Sequence, residues 1–296
     1  MTYKRMLTEK NPKSIRCGDR LLSLSSPVIM SILNITDDSF YAPSRIEMSS
    51  DKIIDIAGKM LDDGARILDV GGMSSRPGAK EIEPAKELKR VIPTIEVIKS
   101  NFPDAIISVD TYRAEVALKS IEAGATMVND ISGGSLDPDM IDLISSQHAA
   151  YVLMHMRGAP SDMQSHTEYQ NVTGDVLKYF VNKLRILHER GIHDIVIDPG
   201  FGFSKTMDQN YQLLDQLDVF QILECPLMIG LSRKSSLSQV IGRPAEETLD
   251  ATTALHMASL QKGASILRVH DVKSAMDAIL VFNKLQEAKI HSYNRL

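Results

Sequence analysis

The sequence has only two cysteines in 296 residues, Cys17 and Cys225, too few for a disulfide framework, and they read as reduced thiols. No run approaches the roughly eighteen apolar residues of a spanning helix. The opening MTYKRMLTEKNPKSIR lacks the apolar stretch of a secretory leader, so a cytoplasmic protein with no membrane partner is expected. An excess of one charge is also missing. The 33 basic and 38 acidic residues leave a net charge of -5, too balanced to attract nucleic acid, so any anion site must be local. No linker or low-complexity segment divides the chain. The glycine-rich turn of a dinucleotide-binding sheet is absent, LNITDDSF standing in its place, and GFGFSK lacks Walker spacing. What is present is a hydrophobic content of 43%, enough for a full core at this length.

Short apolar, β-branched runs recur along the chain, each followed by Gly, Asn, Asp or Ser and then by a stretch of helical periodicity. The strands are predicted at 28–34, 66–70, 105–110, 126–131, 149–155, 194–198, 226–231 and 265–270. The helices fall at 51–63, 84–100, 113–123, 138–147, 172–190, 208–219, 245–262 and 272–288. Two of them, in IIDIAGKMLDDGA and ALKSIEAGA, end in a glycine suited to a left-handed C-terminal cap directly ahead of the next strand. Eight such units, with strands apolar on both faces, predict a single (β/α)8 TIM barrel of residues 27–296. Residues 1–26 lack the repeat, and IRCGDRLLSLSS within them reads as a short hairpin-like extension capping the barrel bottom.

Parallel barrels place their chemistry at the C-terminal ends of the strands, and here those ends are polar. In order they carry Asn34, Asp69 with Ser74, Ser75 and Arg76, Asp110, Asn129 with Asp130, His155 with Arg157, Asp198, Ser232 with Arg233 and Lys234, and Arg268 with His270. Each costs desolvation unless paired, so the pattern argues for a ligand. Asp110, Asn129 and Asp198 suit a heterocycle rich in N–H groups, with Lys234 on its carbonyl. Arg76, Arg268 and His270, helped by Ser75, suit phosphate oxygens, and Asn34 suits a phosphate oxygen or a metal-bound water. Asp110 before Thr111 and Asp198 before Pro199 are also candidate helix caps; their convergence with the rest favours the ligand. Met154 is a candidate for the mouth, and Phe201 or Phe203 for a flat apolar wall beside it. Arg66 and Arg113 read as solvated charges, and His188 with His193 lack a third ligand for zinc.

The segments MSILNITDDSF, GARILDVGGMSSRPGA, ISVDTYRAEVA, MVNDISGG, LMHMRGAP, IDPGFGFSK, GLSRKSSL and RVHDV occur in this order, each with a predicted strand. Together they resemble the dihydropteroate synthases of the pterin-binding barrel family. The resemblance implies a transferase of folate biosynthesis that joins 6-hydroxymethyl-7,8-dihydropterin pyrophosphate to 4-aminobenzoate, with loss of pyrophosphate. It implies Asp110, Asn129, Asp198 and Lys234 on the pterin, with Met154, Phe203 and Gly230 shaping the slot. It implies Asn34, Arg76, Arg268 and His270 on the pyrophosphate and its Mg2+, the metal contact being Asn34. Phe40, Ser75, Pro77, Lys234 and Ser235 would frame the aminobenzoate, with Asp110, Lys234, Arg268 and His270 in catalytic roles. A homodimer, formed through the last helices, and sensitivity to sulfonamide-type analogues are further implications. The chain departs from the family pattern at Asp37, Ala42, Pro43, Met73 and Ser75, all on two loops. Rival readings are a corrinoid methyltransferase of the same superfamily and a pterin-binding protein without turnover.

Overall fold

The computed structural model describes residues 14–35, 49–73 and 81–293. Its first feature is an antiparallel hairpin, β1 (Ser14–Cys17) with β2 (Arg20–Ser23). There follow β3 (Val28–Asn34), α1 (Ser50–Asp62), β4 (Ile67–Gly71), α2 (Pro84–Asn101), β5 (Ile106–Asp110), α3 (Ala114–Ala123), β6 (Met127–Asp130), α4 (Met140–Gln147) and β7 (Ala150–Met154). The second half runs α5 (Val172–Glu189), β8 (Ile195–Asp198), α6 (Met207–Asp215), β9 (Met228–Ile229), α7 (Ser235–Ile241), α8 (Leu249–Gln261), β10 (Ile266–Val269) and α9 (Val272–Tyr293). Eight parallel strands pair in the order β8-β7-β6-β5-β4-β3-β10-β9, and a parallel bridge from Ile197 to Leu227 brings the two ends together. This is the barrel that the βα alternation predicts.

The strands' period of two sorts their side chains. Ile29, Leu68, Ile107, Val128, Tyr151, Ile197, Ile229 and Leu267 face outward into one large core with the helices. Val28, Met30, Ile67, Ile106, Met127, Val152, Val196, Met228 and Ile266 face inward and form a second cluster. Ile15, Cys17 and Leu22 of the hairpin pack into that same inner cluster. The barrel's lower half is thus filled by side chains, as its size requires.

Local signals explain most boundaries. Gly64 (φ +110°) and Gly124 (φ +120°) adopt the positive φ expected of them after α1 and α3. Thr206 and Gln209 form a reciprocal capping box at the start of α6. Elsewhere the structure corrects the sequence reading. The helix predicted to reach 219 ends at Asp215, and a 3-10 segment, Leu217–Leu223, continues it. The helix expected from 245 starts as a 3-10 turn and becomes α8 only at Leu249. SSLSQVI, outside every predicted element, is the helix α7. These stretches are short, so packing rather than periodicity decides them.

Arg113 also differs from its expectation as a solvated charge. Its side chain is 11% exposed and donates through Nη1 to Glu87 Oε2 at 2.6 Å, while the Glu87 side chain is fully buried. Arg113 Nη2 reaches Glu81 at 2.9 Å and the Ile82 carbonyl at 2.7 Å. Removing one partner of such a pair strands the other charge. Arg113→Met should therefore lower the unfolding free energy by about 3–5 kcal/mol, checked by chemical denaturation.

Candidate functional site

The same period that fills the bottom of the barrel builds its top. Asp69, Asn129, Met154, Asp198 and Arg268 each stand two residues beyond an inward-facing apolar residue, namely Ile67, Met127, Val152, Val196 and Ile266 in turn, and Asp110 stands two beyond Ser108, itself two beyond Ile106. They therefore share the barrel's interior at its C-terminal mouth. Asp130, one residue after Asn129, faces the other way, where it accepts from Tyr151 Oη and from the backbone N–H groups of Ser132 and Gly134, all at 2.7 Å.

A charged network joins the floor. Arg268 donates through Nε to Asp69 Oδ2 at 2.7 Å and through Nη2 to Asp110 Oδ2 at 2.6 Å. Asn129 Nδ2 donates to the same Asp69 oxygen at 2.9 Å, which fixes the orientation of its amide. Asp69 Oδ1 is buried with no hydrogen-bond partner among the described residues, an acceptor of the kind that a donor-rich ligand satisfies. Burial pushes the Asp110 carboxyl up to about 7, and Asp69 and Glu87 push the same way, against the pull of Arg268 and Lys234. Burial likewise raises Asp198, opposed by the Gly200 N–H, which its Oδ1 accepts at 2.8 Å, and by Lys234, Arg268 and Lys205. Neither aspartate caps a helix: Asp137 Oδ2 takes the first free N–H of α3, from Ala114, at 2.7 Å.

The walls come from the loops. Phe203 joins Ile131, Met154, Met156 and Met163 in an apolar cluster at the mouth, with Tyr112 packed against it. Phe201 packs outward into the main core, which decides between the two phenylalanines. Lys234 holds its Nζ 4.5 Å from the centre of the Phe203 ring. The preceding Arg233 has φ +55°, a left-handed conformation fixed by a two-point ion pair with Asp271 at 2.7 and 2.9 Å. The Gly230 position opens toward Asp198 Oδ2, 4.0 Å from where a Cβ would stand. His270 is exposed at the end of β10, its Nδ1 3.0 Å from Ser232 Oγ. Ser235 is exposed at the first position of α7. Asn34 ends β3, with Oδ1 3.1 Å from where a Cβ on Gly71 would stand.

Two rim candidates lie away from the mouth. His155 is buried behind β7, its ring edge-on to Tyr179 with centroids 4.9 Å apart. Arg157 stacks 3.8 Å above the Tyr169 ring and pairs with Asp175 at 3.4 Å. Asp69, a rim residue with no assigned role in the sequence, is the carboxylate that Arg268 and Asn129 share. Its signal was its parity with Ile67 in RILDV. Phe40, Ser75, Arg76 and Pro77 lie outside the described residues, as do Asp37, Ala42 and Pro43. His188 and His193 stack on each other at 5.5 Å, and among the described residues no three His, Cys, Asp or Glu side chains gather as a metal cluster.

A barrel mouth with an acid and amide floor joined by Arg268, an aromatic and methionine wall and Lys234 beside it suits a flat polar ring with an anionic arm. The family model for pterin-binding enzymes matches residues 30–270. The chain belongs to this family. Its relatives include the dihydropteroate synthase of Escherichia coli, 38% identical over 270 residues, covering 90% of this chain and 95% of that protein. The Yersinia pestis dihydropteroate synthase, solved with a sulfonamide drug complex, superposes with a TM-score of 0.87 at 35% identity over 93% of this chain and 99% of that one. The Xanthomonas albilineans dihydropteroate synthase with 4-aminobenzoic acid gives 0.85 at 35% identity, with coverage of 93% and 98%.

Proposed function

We propose that the chain is a dihydropteroate synthase, condensing 6-hydroxymethyl-7,8-dihydropterin pyrophosphate with 4-aminobenzoate to give 7,8-dihydropteroate and pyrophosphate. The observation that carries this reading is the hydrogen-bonded set of Asp110, Asp69, Asn129 and Arg268 inside the barrel mouth, 2.6 to 2.9 Å apart. In it, groups for a heterocycle stand directly beside a cation for a leaving diphosphate.

Asp110, Asn129, Asp198 and Lys234 hold the pterin, and Met154, Phe203 and Gly230 shape its slot. Arg76, Arg268, His270 and Asn34 take the pyrophosphate. Phe40, Ser75, Pro77, Lys234 and Ser235 frame the aminobenzoate. An aromatic amine is a modest nucleophile, so most of the gain comes from improving the electrophile. The bond from the pterin methylene to oxygen breaks with its electron pair going to pyrophosphate, the amine nitrogen bonds to the methylene, and the amine loses a proton. Asp110 stabilises the positive charge on the dihydropterin, and Arg268 and His270 stabilise the departing anion. Excluding water from the site keeps it from capturing the cation.

The family implies magnesium. The described donors at the anion end include the Asn34 amide oxygen and no carboxylate trio, a set that fits Mg2+ carried largely by water and by substrate phosphates, with Asn34 as its protein contact. When bound, the ion would neutralise charge on the leaving pyrophosphate. We further propose that residues 1–26 cap a single barrel domain of 27–296, and that the protein is a cytoplasmic homodimer. No helix among the described residues is long and apolar enough to cross a membrane. Leu280 and Val281 of α9 are 58% and 54% exposed, which supports pairing through the last helices.

Mixing both substrates with Mg2+ should release pyrophosphate in step with dihydropteroate formation. Pterin binding without release would leave a binding protein, and methyl transfer to a corrinoid would leave the methyltransferase reading.

A further inference from the structure

One buried cation in the site's surroundings has no part in the chemistry above. Lys205 closes the loop after β8, and only 3% of its surface is exposed. Its Nζ lies 3.0 Å from each of three close acceptors, His155 Nδ1 and the Gly200 and Phe203 carbonyls, and 3.5 Å from the His155 carbonyl. With the His155 ring carrying its proton on Nε2, an ammonium has three N–H donors and satisfies all three close acceptors, whereas a neutral amine has two and leaves one of them unpaired in a dry site. His155 suits the role of acceptor, because burial first, and then the Lys205 and Arg157 cations, hold its pKa well below the usual imidazole range.

The three acceptors belong to the parts that shape the pterin slot. Phe203 is its aromatic wall. Gly200 packs so tightly on the His155 carbonyl that a Cβ there would collide with it, and its N–H fixes Asp198. His155 directly follows Met154, the slot's inward methionine. The rest of the loop is tied from outside: Arg157 N–H donates to Ser204 Oγ at 2.9 Å, and Gly202 N–H donates to Asn210 Oδ1 at 2.7 Å. Lys205 is the tie from within.

We propose that the Lys205 ammonium is a positioning residue for the pterin slot, binding the β8 loop to the end of β7, so that affinity for the dihydropterin substrate falls when Lys205 loses its proton. The inference rests on the pterin reading of the same site. The groups that face Lys205 are Asp198, which favours its charged form, Arg157 and Lys234, which oppose it, and neutral His155. Burial is the largest influence, and with these neighbours it brings the lysine down to about 7. The charged form is the competent one, so affinity weakens as pH rises through that value.

The test is steady-state kinetics of the full-length protein from pH 6 to 9, with isosteric Lys205→Met beside the wild type, and pterin binding followed directly by fluorescence. Lys205→Met should raise KM for the dihydropterin substrate about 30-fold at pH 6.5. KM for aminobenzoate and kcat should change less than about threefold. The wild type should lose dihydropterin affinity on the alkaline side, a limb absent from the variant. A pterin KM within about twofold of wild type, or equal losses in both KM values and kcat, would overturn the proposal. If the variant fails to fold, the wild-type binding profile decides alone: no weakening between pH 6.5 and 9 overturns it. A wild type that neither binds nor turns over pterin at any pH refutes the functional reading instead, and is distinguishable for that reason.

Discussion

Asp110→Asn should lower kcat by about 100- to 1,000-fold while weakening dihydropterin binding no more than about tenfold. The amide keeps the shape and the hydrogen-bonding reach of the carboxylate, so the ring can still dock. What it lacks is the negative charge, and charge matters most when positive charge develops on the dihydropterin as pyrophosphate leaves. Arg268 keeps its second carboxylate, Asp69, at 2.7 Å, so the floor stays paired and the fold should hold. A pH signature accompanies the change. Asp110 is pushed up to about 7, and its ionised form is the active one, so wild-type kcat should climb with pH through that region. The Asn variant should lack that acid limb. Stopped-flow or coupled pyrophosphate assays across pH check both points, and comparable losses in binding and turnover would refute the charge-stabilising role.

Arg268→Ala should act on ligand and fold together. Inhibition by inorganic pyrophosphate should weaken by about 10- to 100-fold, with aminobenzoate KM changing far less. The stability effect follows from what the guanidinium leaves behind. Asp69 and Asp110 are 0% and 8% exposed, and both lose their cation at once. Truncating one member of such a buried network costs about 3–5 kcal/mol. In the variant the Asp110 pKa moves further above its unfolded value. A carboxylate shifted upward on folding destabilises the protein once pH exceeds the unfolded pKa, and the penalty disappears as the group is protonated. The stability deficit should therefore be largest above neutrality and shrink toward pH 5, which denaturation at several pH values would reveal. An unchanged pyrophosphate affinity would mean the anion sits elsewhere.

Much of this site was legible in the chain because a parallel barrel has a simple grammar. Each strand is a short apolar run, its last inward position opens on the mouth, and polar residues at those positions have no structural excuse for being there. That rule alone marks Asp110, Asn129, Asp198 and Arg268. It failed where the next residue along faces the opposite side: His155 and Asp130 looked like rim residues and serve the framework behind the sheet. Arg113 failed for a related reason, since its partner Glu87 lies 26 residues away in sequence and nothing local marks the pair.

The sequence by itself determined the alternation of strand and helix, the parallel sheet, the absence of a disulfide framework and the set of polar strand ends. These depend on periodicity and on residue chemistry, which are local properties. Tertiary structure alone decided that Asp69 is shared by Arg268 and Asn129, that Phe203 rather than Phe201 lines the mouth, and that Lys205 is enclosed by three acceptors from two strand ends. Those outcomes depend on which distant side chains meet in a dry interior. There, every charge must find a partner, and the closure of the barrel chooses which one.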